Sequence, residues 1–200
     1  AKRMGLPVER LVIATNDNDI LARTLASGEY RMAEVVATTS PSMDIQISSN
    51  FERLLFEAAG RDPAAVRRSM GALRQSGAFT LADADLARIR AEFDAGRAAA
   101  EDVAAAIRRT WSASGYLLDP HTAAGVHVAA LRPAGAVPMV VLGTAHPAKF
   151  PAAVEAASGV RPQLPQRMAA MMEASEKFTV LPSDLKMVED HIGRRSKAAR

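Results

Sequence analysis

Three clusters of polar side chains each follow a short apolar run, at the point where a strand would pass into a turn. They are ATNDND (14–19), TTSPSMD (38–44) and GTAHPAKF (143–150). In open α/β sheets, ligands bind at the carboxyl ends of the strands, where loops meet the first turns of helices. Because Asn, Asp and Ser are also ordinary turn residues, one cluster alone is better explained as a plain turn. The three together suggest part of an anion-binding site.

The third cluster holds the side chains with the most evident chemistry. Lys149 is the obvious nucleophile, but it falls in the first helical turn after Pro147, which predicts a surface or ion-pairing lysine. Thr144 and His146 precede that turn and offer a hydroxyl and an imidazole. No glycine-rich phosphate loop, catalytic-triad order or nucleophile-elbow sequence accompanies them. The residues alone therefore identify candidates but no reaction.

The first two clusters offer amide and carboxylate side chains. Asn16, Asn18 and Asp19 end the first predicted strand, where they can either contact a ligand or cap the following helix. Ser42 and Asp44 are the candidates of the second cluster. These five side chains are predicted to lie at the edge of a sheet.

Two further positions are better explained by architecture than by ligand binding. Arg53 can clamp an anion with two hydrogen bonds, but its place in an amphipathic helical pattern favours a solvated face. Asp119 is typical of a helix N-cap, with Pro120 in the first turn and His121 behind it.

The elements that must position these residues are short strands alternating with helices. Strands are predicted at 8–15, 34–40 and 139–143, and helices at 20–28, 120–131, 147–159, 165–175 and 183–192, with a helical pattern through 48–115. Such alternation is typical of parallel sheets. We predict an α/β fold with a parallel-sheet core, a helical insertion and a helical C-terminal segment. The expected α/β domain comprises 1–45 and 116–160, the insertion 46–115 and the C-terminal segment 161–200.

The composition excludes several classes of function. The 200 residues include no cysteine, so disulfides and thiolate chemistry are excluded. No apolar run approaches the roughly 20 residues that span a bilayer. The four histidines have no metal-ligand spacing, and aromatic residues make up only 4%, which is too few for a platform that stacks bases. We expect a cytoplasmic protein with no metal, membrane or nucleic-acid partner.

Four blocks of the sequence resemble threonine synthases, in the same order along the chain. They are AKRMGLPVERLVIATNDND (1–19), SPSMDIQISSNFERL (40–54), SGYLLDPHTAAGV (114–126) and GTAHPAKF (143–150). The pattern is similar to the branch of the family with the longer C-terminal region. The resemblance implies part of a fold-type II pyridoxal-phosphate enzyme, in which the cofactor lies between two α/β lobes.

The resemblance also implies a reaction and roles for the candidates. Threonine synthases convert O-phosphohomoserine and water to threonine and phosphate with pyridoxal 5′-phosphate as cofactor. The Thr in GTAHP matches the family's hydroxyl partner of the pyridine nitrogen, so Thr144 is the expected cofactor-binding residue. His146 is expected to line the pocket or to fix the loop. The residues Asn16, Asn18, Asp19, Ser42 and Asp44 are expected substrate or pocket residues, and for the first three the alternative is that they organise the cofactor loop.

The chain is expected to be a C-terminal fragment of a longer protein. Residues 1–4 followed by Gly5 and Pro7 predict the last turn of a helix with its stop signals. In the family, the Schiff-base lysine and the glycine-rich loop that binds the cofactor phosphate precede the position of Ala1. The resemblance therefore implies that no catalytic residue lies in this chain, that it needs the N-terminal part of the same protein, and that it is inactive alone.

Two alternatives remain open at this stage. The first is a threonine synthase-like phospholyase, which eliminates phosphate from the substrate without making threonine. The second is a non-catalytic interaction module built around the helical insertion and the basic tail.

Overall fold

The computed structural model describes residues 1–133 and 135–197, and all three polar clusters lie in these ranges. The chain divides into two compact units, residues 1–163 and 164–200. No helix in the described ranges is long and apolar enough to cross a membrane.

The first unit alternates strands and helices. Its strands are β1 (Leu11–Thr15), β2 (Glu29–Arg31), β3 (Ala78–Thr80) and β4 (Phe93–Arg97). Its helices are α1 (Ile20–Ser27), α2 (Phe51–Ala58), α3 (Pro63–Ser76), α4 (Asp83–Glu92), α5 (Ala100–Ser114), α6 (Pro120–Ala130) and α7 (Pro151–Ser158). Short 3-10 turns occur at Lys2–Met4, Pro41–Met43 and Pro147–Lys149. The second unit contains a 3-10 helix, Gln166–Met172, and the helix α8 (Leu185–Arg195), where two helices were predicted.

Strands β1 and β4 form a parallel sheet that sets the position of the site. Leu11 pairs with Phe93 at one end, and Thr15 pairs with Arg97 at the other. The carboxyl ends of the two strands therefore lie at one edge. Strands β2 and β3 form a separate antiparallel pair. The predicted α/β fold with a parallel-sheet core is confirmed.

The side chains of β4 alternate between two sides of the sheet, as a strand requires. Phe93 and Ala95 pack against the core that contains α1. Gly96 instead lies against α6, where an added Cβ would come within 2.7 Å of Val128 Cγ1. A residue with any side chain at position 96 would push α6 away from the sheet, so the glycine fixes how closely this helix approaches.

Two apolar cores hold the first unit together. In the first, the Tyr30 ring is stacked between Phe51 and Phe79, with ring centroids 5.3 and 5.0 Å apart. The Tyr30 hydroxyl accepts a hydrogen bond from the Ser48 amide at 2.8 Å, so its buried polar atom is satisfied. The second core consists mainly of small side chains from α5, α6 and α7 and their flanks: Ala98, Val103, Ala106, Ile107, Leu118, Ala123, Ala124 and Ala157.

The strand predicted at 34–40 is wrong, and side chains explain why. The Val36 N–H donates to Asn18 Oδ1 at 2.8 Å, and the Val36 carbonyl accepts from Asn18 Nδ2 at 2.8 Å. The Thr38 N–H donates to Asp44 Oδ2 at 2.8 Å. An amide and a carboxylate thus take the backbone bonds that a neighbouring strand would have made.

The strand predicted at 139–143 is also wrong. Met139, Val140 and Leu142 are 51%, 76% and 76% exposed, and within the described ranges no strand pairs with this run. An extended apolar run becomes a strand only where a neighbour supplies its hydrogen bonds. Val141 in this run lies against α6, where a Cβ added to Gly125 would be 3.1 Å from Val141 Cγ1.

The helical pattern predicted through 48–115 is interrupted by β3 and β4. Gly77 ends α3 in the left-handed conformation, with φ of 72°, and the chain then turns into β3. The residues of β4 are held as a strand by the backbone of β1. Because β4 lies inside 46–115, this range contributes to the parallel sheet, and its assignment as a separate insertion stays a prediction.

Candidate functional site

Asp44 is the centre of a group of hydrogen bonds just beyond the carboxyl end of β1. Its Oδ1 accepts from Asn16 Nδ2 at 2.7 Å, from Asn18 Nδ2 at 3.1 Å and from the Thr38 hydroxyl at 2.6 Å. Asn16 Nδ2 also donates to the hydroxyl of Ser40 at 3.0 Å. We call these five residues the strand-end network. It joins the first two polar clusters of the sequence.

Asn16 and Asn18 are only 2% and 3% exposed, and their amides are occupied by the protein itself. Asn16 Oδ1 accepts from the Asn18 N–H at 2.9 Å, and Asn18 holds the backbone of Val36. Buried amides with these partners organise the loop that carries the second cluster. Direct contact of either amide with a ligand stays a prediction.

Asp19 occupies the N-cap position of α1, but its side chain makes no capping hydrogen bond. Its carboxylate instead accepts from Arg23 Nε at 2.7 Å, one turn along the helix. The same guanidinium reaches Gln46 Oε1 at 3.3 Å. Asp19 therefore holds Arg23 against the end of the loop.

The N-terminus of α6 is organised by Asp119, whose exposure is 1%. Its Oδ1 accepts from the His121 and Thr122 amides at 2.9 and 3.3 Å, which confirms the predicted N-cap. Its Oδ2 accepts from the Thr122 hydroxyl, and its Oδ1 lies 3.0 Å from His121 Nδ1. We call Asp119, His121 and Thr122 the α6 cap.

Thr144 is attached to the α6 cap through its backbone. Its N–H donates to Thr122 Oγ1 at 3.1 Å. Thr144 is exposed, and no hydrogen bond among the described residues involves its hydroxyl. The arrangement presents a free hydroxyl from a fixed backbone position.

His121, a member of the α6 cap, contacts both the second and the third polar clusters. Its Nε2 accepts from the Ser42 N–H at 3.3 Å, and its ring lies against that of Phe150, with centroids 4.7 Å apart. Its side chain is 7% exposed. The cap joins the second and third clusters, and the strand-end network joins the first to the second, so the structure connects all three polar clusters.

His146 and Lys149 belong to the turn that follows Thr144. His146 Nδ1 accepts from the Ala148 N–H at 3.2 Å and so caps the 3-10 turn Pro147–Lys149. This bond matches the loop-fixing alternative for His146, and the pocket role stays a prediction. Lys149 is exposed, with Nζ 5.9 Å from the centre of the Phe150 ring. It lies in the helical turn as expected.

The guanidinium groups of Arg97 and Arg53 both have hydrogen-bond partners within the protein. Arg97, the last residue of β4, donates to Asp17 Oδ1 at 2.5 Å. That hydrogen bond raises the pKa of the Arg97 guanidinium, and desolvation opposes it more weakly. Arg53 is exposed and donates to Asn50 Oδ1 at 2.6 Å, in agreement with the solvated face predicted for it. Arg97 is thus held by a carboxylate, whereas the exposed Arg53 has a neutral amide as its partner.

Metal binding finds no support in the geometry. Across residues 1–133 and 135–197, no three His, Asp or Glu side chains are grouped in a way that could hold a metal ion.

Sequence reasoning missed Thr122, Thr38 and Phe150. Thr122 has a detectable signal, because it is the third residue of a helix that begins after an Asp N-cap, where a side chain can reach back to the cap. Thr38 and Phe150 have none. The bond from Thr38 to Asp44 spans six residues of an irregular loop, and the Phe150 ring meets His121 only through the fold.

Comparison with known proteins identifies the family. Residues 122–192 match the family model for the C-terminal region of threonine synthase. A threonine synthase from Pseudomonas aeruginosa is 43% identical over 202 residues, covering 100% of this chain and 43% of its own length.

Solved structures agree with the sequence matches. A threonine synthase from Brucella melitensis with bound pyridoxal phosphate is 61% identical, with a TM-score of 0.86 over 98% of this chain. The yeast threonine synthase is 35% identical, with a TM-score of 0.80 over 100% of this chain. The matches cover 42% and 44% of those two chains, so this chain spans less than half the length of its relatives. Its sequence and its fold both place this chain in the threonine synthase family.

Proposed function

We propose that the complete protein is a pyridoxal-phosphate-dependent threonine synthase, a carbon–oxygen lyase of the cytoplasm. It converts O-phosphohomoserine and water to threonine and phosphate. The observation that carries the proposal is the exposed Thr144 hydroxyl, held at the convergence of the three polar clusters by the α6 cap. The relative with bound pyridoxal phosphate is 61% identical to this chain over the matched region, which is 42% of its own length.

The residues around Thr144 fit the cofactor by their chemistry. A pyridine nitrogen needs one hydrogen-bond donor, and the Thr144 hydroxyl can donate without giving up another partner among the described residues. A neutral hydroxyl leaves that nitrogen largely unprotonated, whereas a carboxylate would hold it as a cation. When bound, the cofactor stabilises the carbanions of the reaction.

The residues of this chain position and fix the groups that contact the ligands. The α6 cap fixes Thr144 through the backbone bond to Thr122. The strand-end network fixes the loop that carries Ser42, whose side chain is exposed on the same loop as the semi-buried Asp44. We propose Ser42 and Asp44 as pocket residues on this basis, and His146 because it caps the turn that follows Thr144.

The rest of the active site is proposed to come from the remainder of the protein. The relatives are more than twice as long as this chain. The lysine and the phosphate-binding loop that the reaction needs are assigned to that remainder, so the 200 residues alone are expected to be inactive. Several large apolar side chains are exposed in the first unit and support a covering partner, among them Val35, Val36, Ile45, Ile47, Met139, Val140 and Leu142.

The alternative activity is that of a phospholyase on the same substrate. The two activities share the cofactor and the release of phosphate, and they differ in the organic product. With phosphohomoserine as substrate, the complete protein is expected to release threonine and phosphate in equal amounts. Formation of 2-oxobutyrate in place of threonine would identify a phospholyase.

The Thr144→Ala variant of the complete protein tests the role of the hydroxyl. We expect turnover to fall about tenfold or more, since a hydrogen bond to the reacting system is lost. Cofactor binding should weaken less, because other contacts hold the cofactor phosphate. Thr144→Ser retains the hydroxyl and is the matched control. Equal turnover in the parent and both variants would show that the Thr144 hydroxyl has no part in the reaction.

A further inference from the structure

We propose that His121 is a positioning residue that ties the loop 40–44 to the segment 143–150. No hydrogen bond among the described residues joins these two stretches directly. His121 contacts both, through the Ser42 N–H and the Phe150 ring. It therefore fixes the separation between Thr144 and the loop of Ser42 and Asp44.

The hydrogen-bond partners require one form of the imidazole. Asp119 Oδ1 can only accept, so Nδ1 carries the proton that it receives. The Ser42 N–H can only donate, so Nε2 must be unprotonated. The tautomer is assigned from this network. A side chain without an acceptor at the Nε2 position cannot hold Ser42.

The surroundings of His121 make this contact rigid. Its side chain is 7% exposed, and Asp119, which orients it, is 1% exposed. Asp119 also caps α6 through two backbone amides, so the imidazole is tied to the start of a helix. Buried and hydrogen-bonded on both nitrogens, the ring has little freedom to follow either loop.

Two substitutions separate the two nitrogens. In His121→Asn, the amide can replace Nδ1 beside Asp119 but is too short to reach Ser42. In His121→Gln, the amide oxygen can occupy the Nε2 position and accept from the Ser42 N–H. His127→Asn is the matched control, since His127 lies on the same helix and faces Asp102 Oδ2 at 3.6 Å instead of the two loops.

The test is hydrogen exchange by mass spectrometry on the complete protein, in peptides covering 40–46 and 143–150. We expect His121→Asn to raise exchange in both peptides about tenfold, because local opening becomes easier when the bridging bond is lost. His121→Gln should restore protection of 40–46 while 143–150, which has lost the ring contact, stays less protected. His127→Asn should resemble the parent in both peptides.

Turnover supplies a second readout, which rests on the proposed function. We expect His121→Asn to lower kcat severalfold with a smaller change in KM, and His121→Gln to recover part of the loss. If the parent makes no threonine, the proposed function fails, and the exchange data still decide the role of His121.

Parent-like exchange in both peptides of His121→Asn would overturn the proposal, whatever happens to turnover. If His121→Asn exchanges faster throughout the protein, its effect is not local, and the exchange of His121→Gln then tests the proposal. Protection of 40–46 with loosening of 143–150 supports the proposal, and the same behaviour in both peptides overturns it.

Discussion

The strand-end network and the segment 143–150 belong to the same candidate site but use their polar side chains differently. In the network, Asp44 receives four hydrogen bonds, and the amides that supply two of them are almost fully buried. In the segment, Thr144 is exposed and is held by its backbone N–H. One region uses its polar side chains for its own structure, and the other leaves its hydroxyl available.

The difference separates two uses of the same residue types. Polar side chains whose partners are all in the protein hold loops, and removing one leaves unpaired buried groups. A polar side chain with a fixed backbone and no protein partner can be removed at little cost to folding. Stability measurements can therefore distinguish the two regions without any assay of activity.

The Asp44→Ala variant should give the largest effect on stability. It removes one acceptor from each of four donors in a network of nearly buried amides, and we expect the free energy of unfolding to fall by about 3 kcal/mol. Chemical denaturation of the complete protein measures this change. Asp83→Ala, at an exposed position in the first turn of α4, is the control and should cost less than about 1 kcal/mol. A similar loss in both variants would mean that the network does not stabilise the loop.

A pair of isosteric substitutions on either side of one hydrogen bond sharpens the comparison. Thr122→Val removes the acceptor of the Thr144 N–H and the donor to Asp119, so we expect a loss of about 1–2 kcal/mol. Thr144→Val removes a hydroxyl with no partner among the described residues and should change stability by less than about 0.5 kcal/mol. Thermal or chemical unfolding measures both changes. Equal losses of stability in the two variants would contradict the view that Thr122 supports the structure while the Thr144 hydroxyl is free to bind a ligand.

Asp94, at the other end of the same sheet, is expected to have the smallest effect on stability and the one that depends most on pH. Asp94 is held by the charges of Arg10 and Arg132, at 2.9 and 3.0 Å, whereas Asp44 is held by neutral donors. The pKa of Asp94 is held below its ordinary value, chiefly because Arg10 donates a hydrogen bond to its carboxylate. The stability that Asp94 contributes is therefore present above the unfolded pKa of about 4 and is lost as pH falls through the folded pKa.

The Asp94→Asn variant tests that window. Its unfolding free energy should be lower than that of the parent by about 1 kcal/mol at pH 6, since the pair is partly exposed. The gap should narrow as the pH is taken below 4 toward 3. A gap of constant size between pH 6 and pH 3 would show that the charge of Asp94 does not stabilise the fold.

Much of the fold follows from local sequence. The helix cap at Asp119 and the helices α1 and α6 were predictable because caps, glycine stops and apolar spacing act over a few residues. The strand at 93–97 was not predictable, because FDAGR carries little strand propensity and is held by β1, some 80 residues away. The apolar runs at 34–40 and 139–143 have the composition of strands but no neighbouring strand within the described residues.

The candidate site shows the same limit. The sequence placed Asn16, Asp44 and Thr144 at strand ends, and the structure brings their clusters together. It could not show that the Asn16 amide is consumed by Asp44 or that Thr122 holds Thr144, since these contacts join residues 22 to 28 positions apart. Spacing predicts which residues can do chemistry, whereas the hydrogen-bond partners decide which are free to do it.

The bond between Thr122 and Thr144 has a consequence for how such proteins can diverge. It joins the beginning of α6 to the chain that returns after this helix, so the connection beyond Ala130 does not set the position of the hydroxyl. Insertions and deletions in that connection should be tolerated as long as the returning chain reaches the α6 cap. Length variation can accumulate there while the geometry at Thr144 is inherited unchanged.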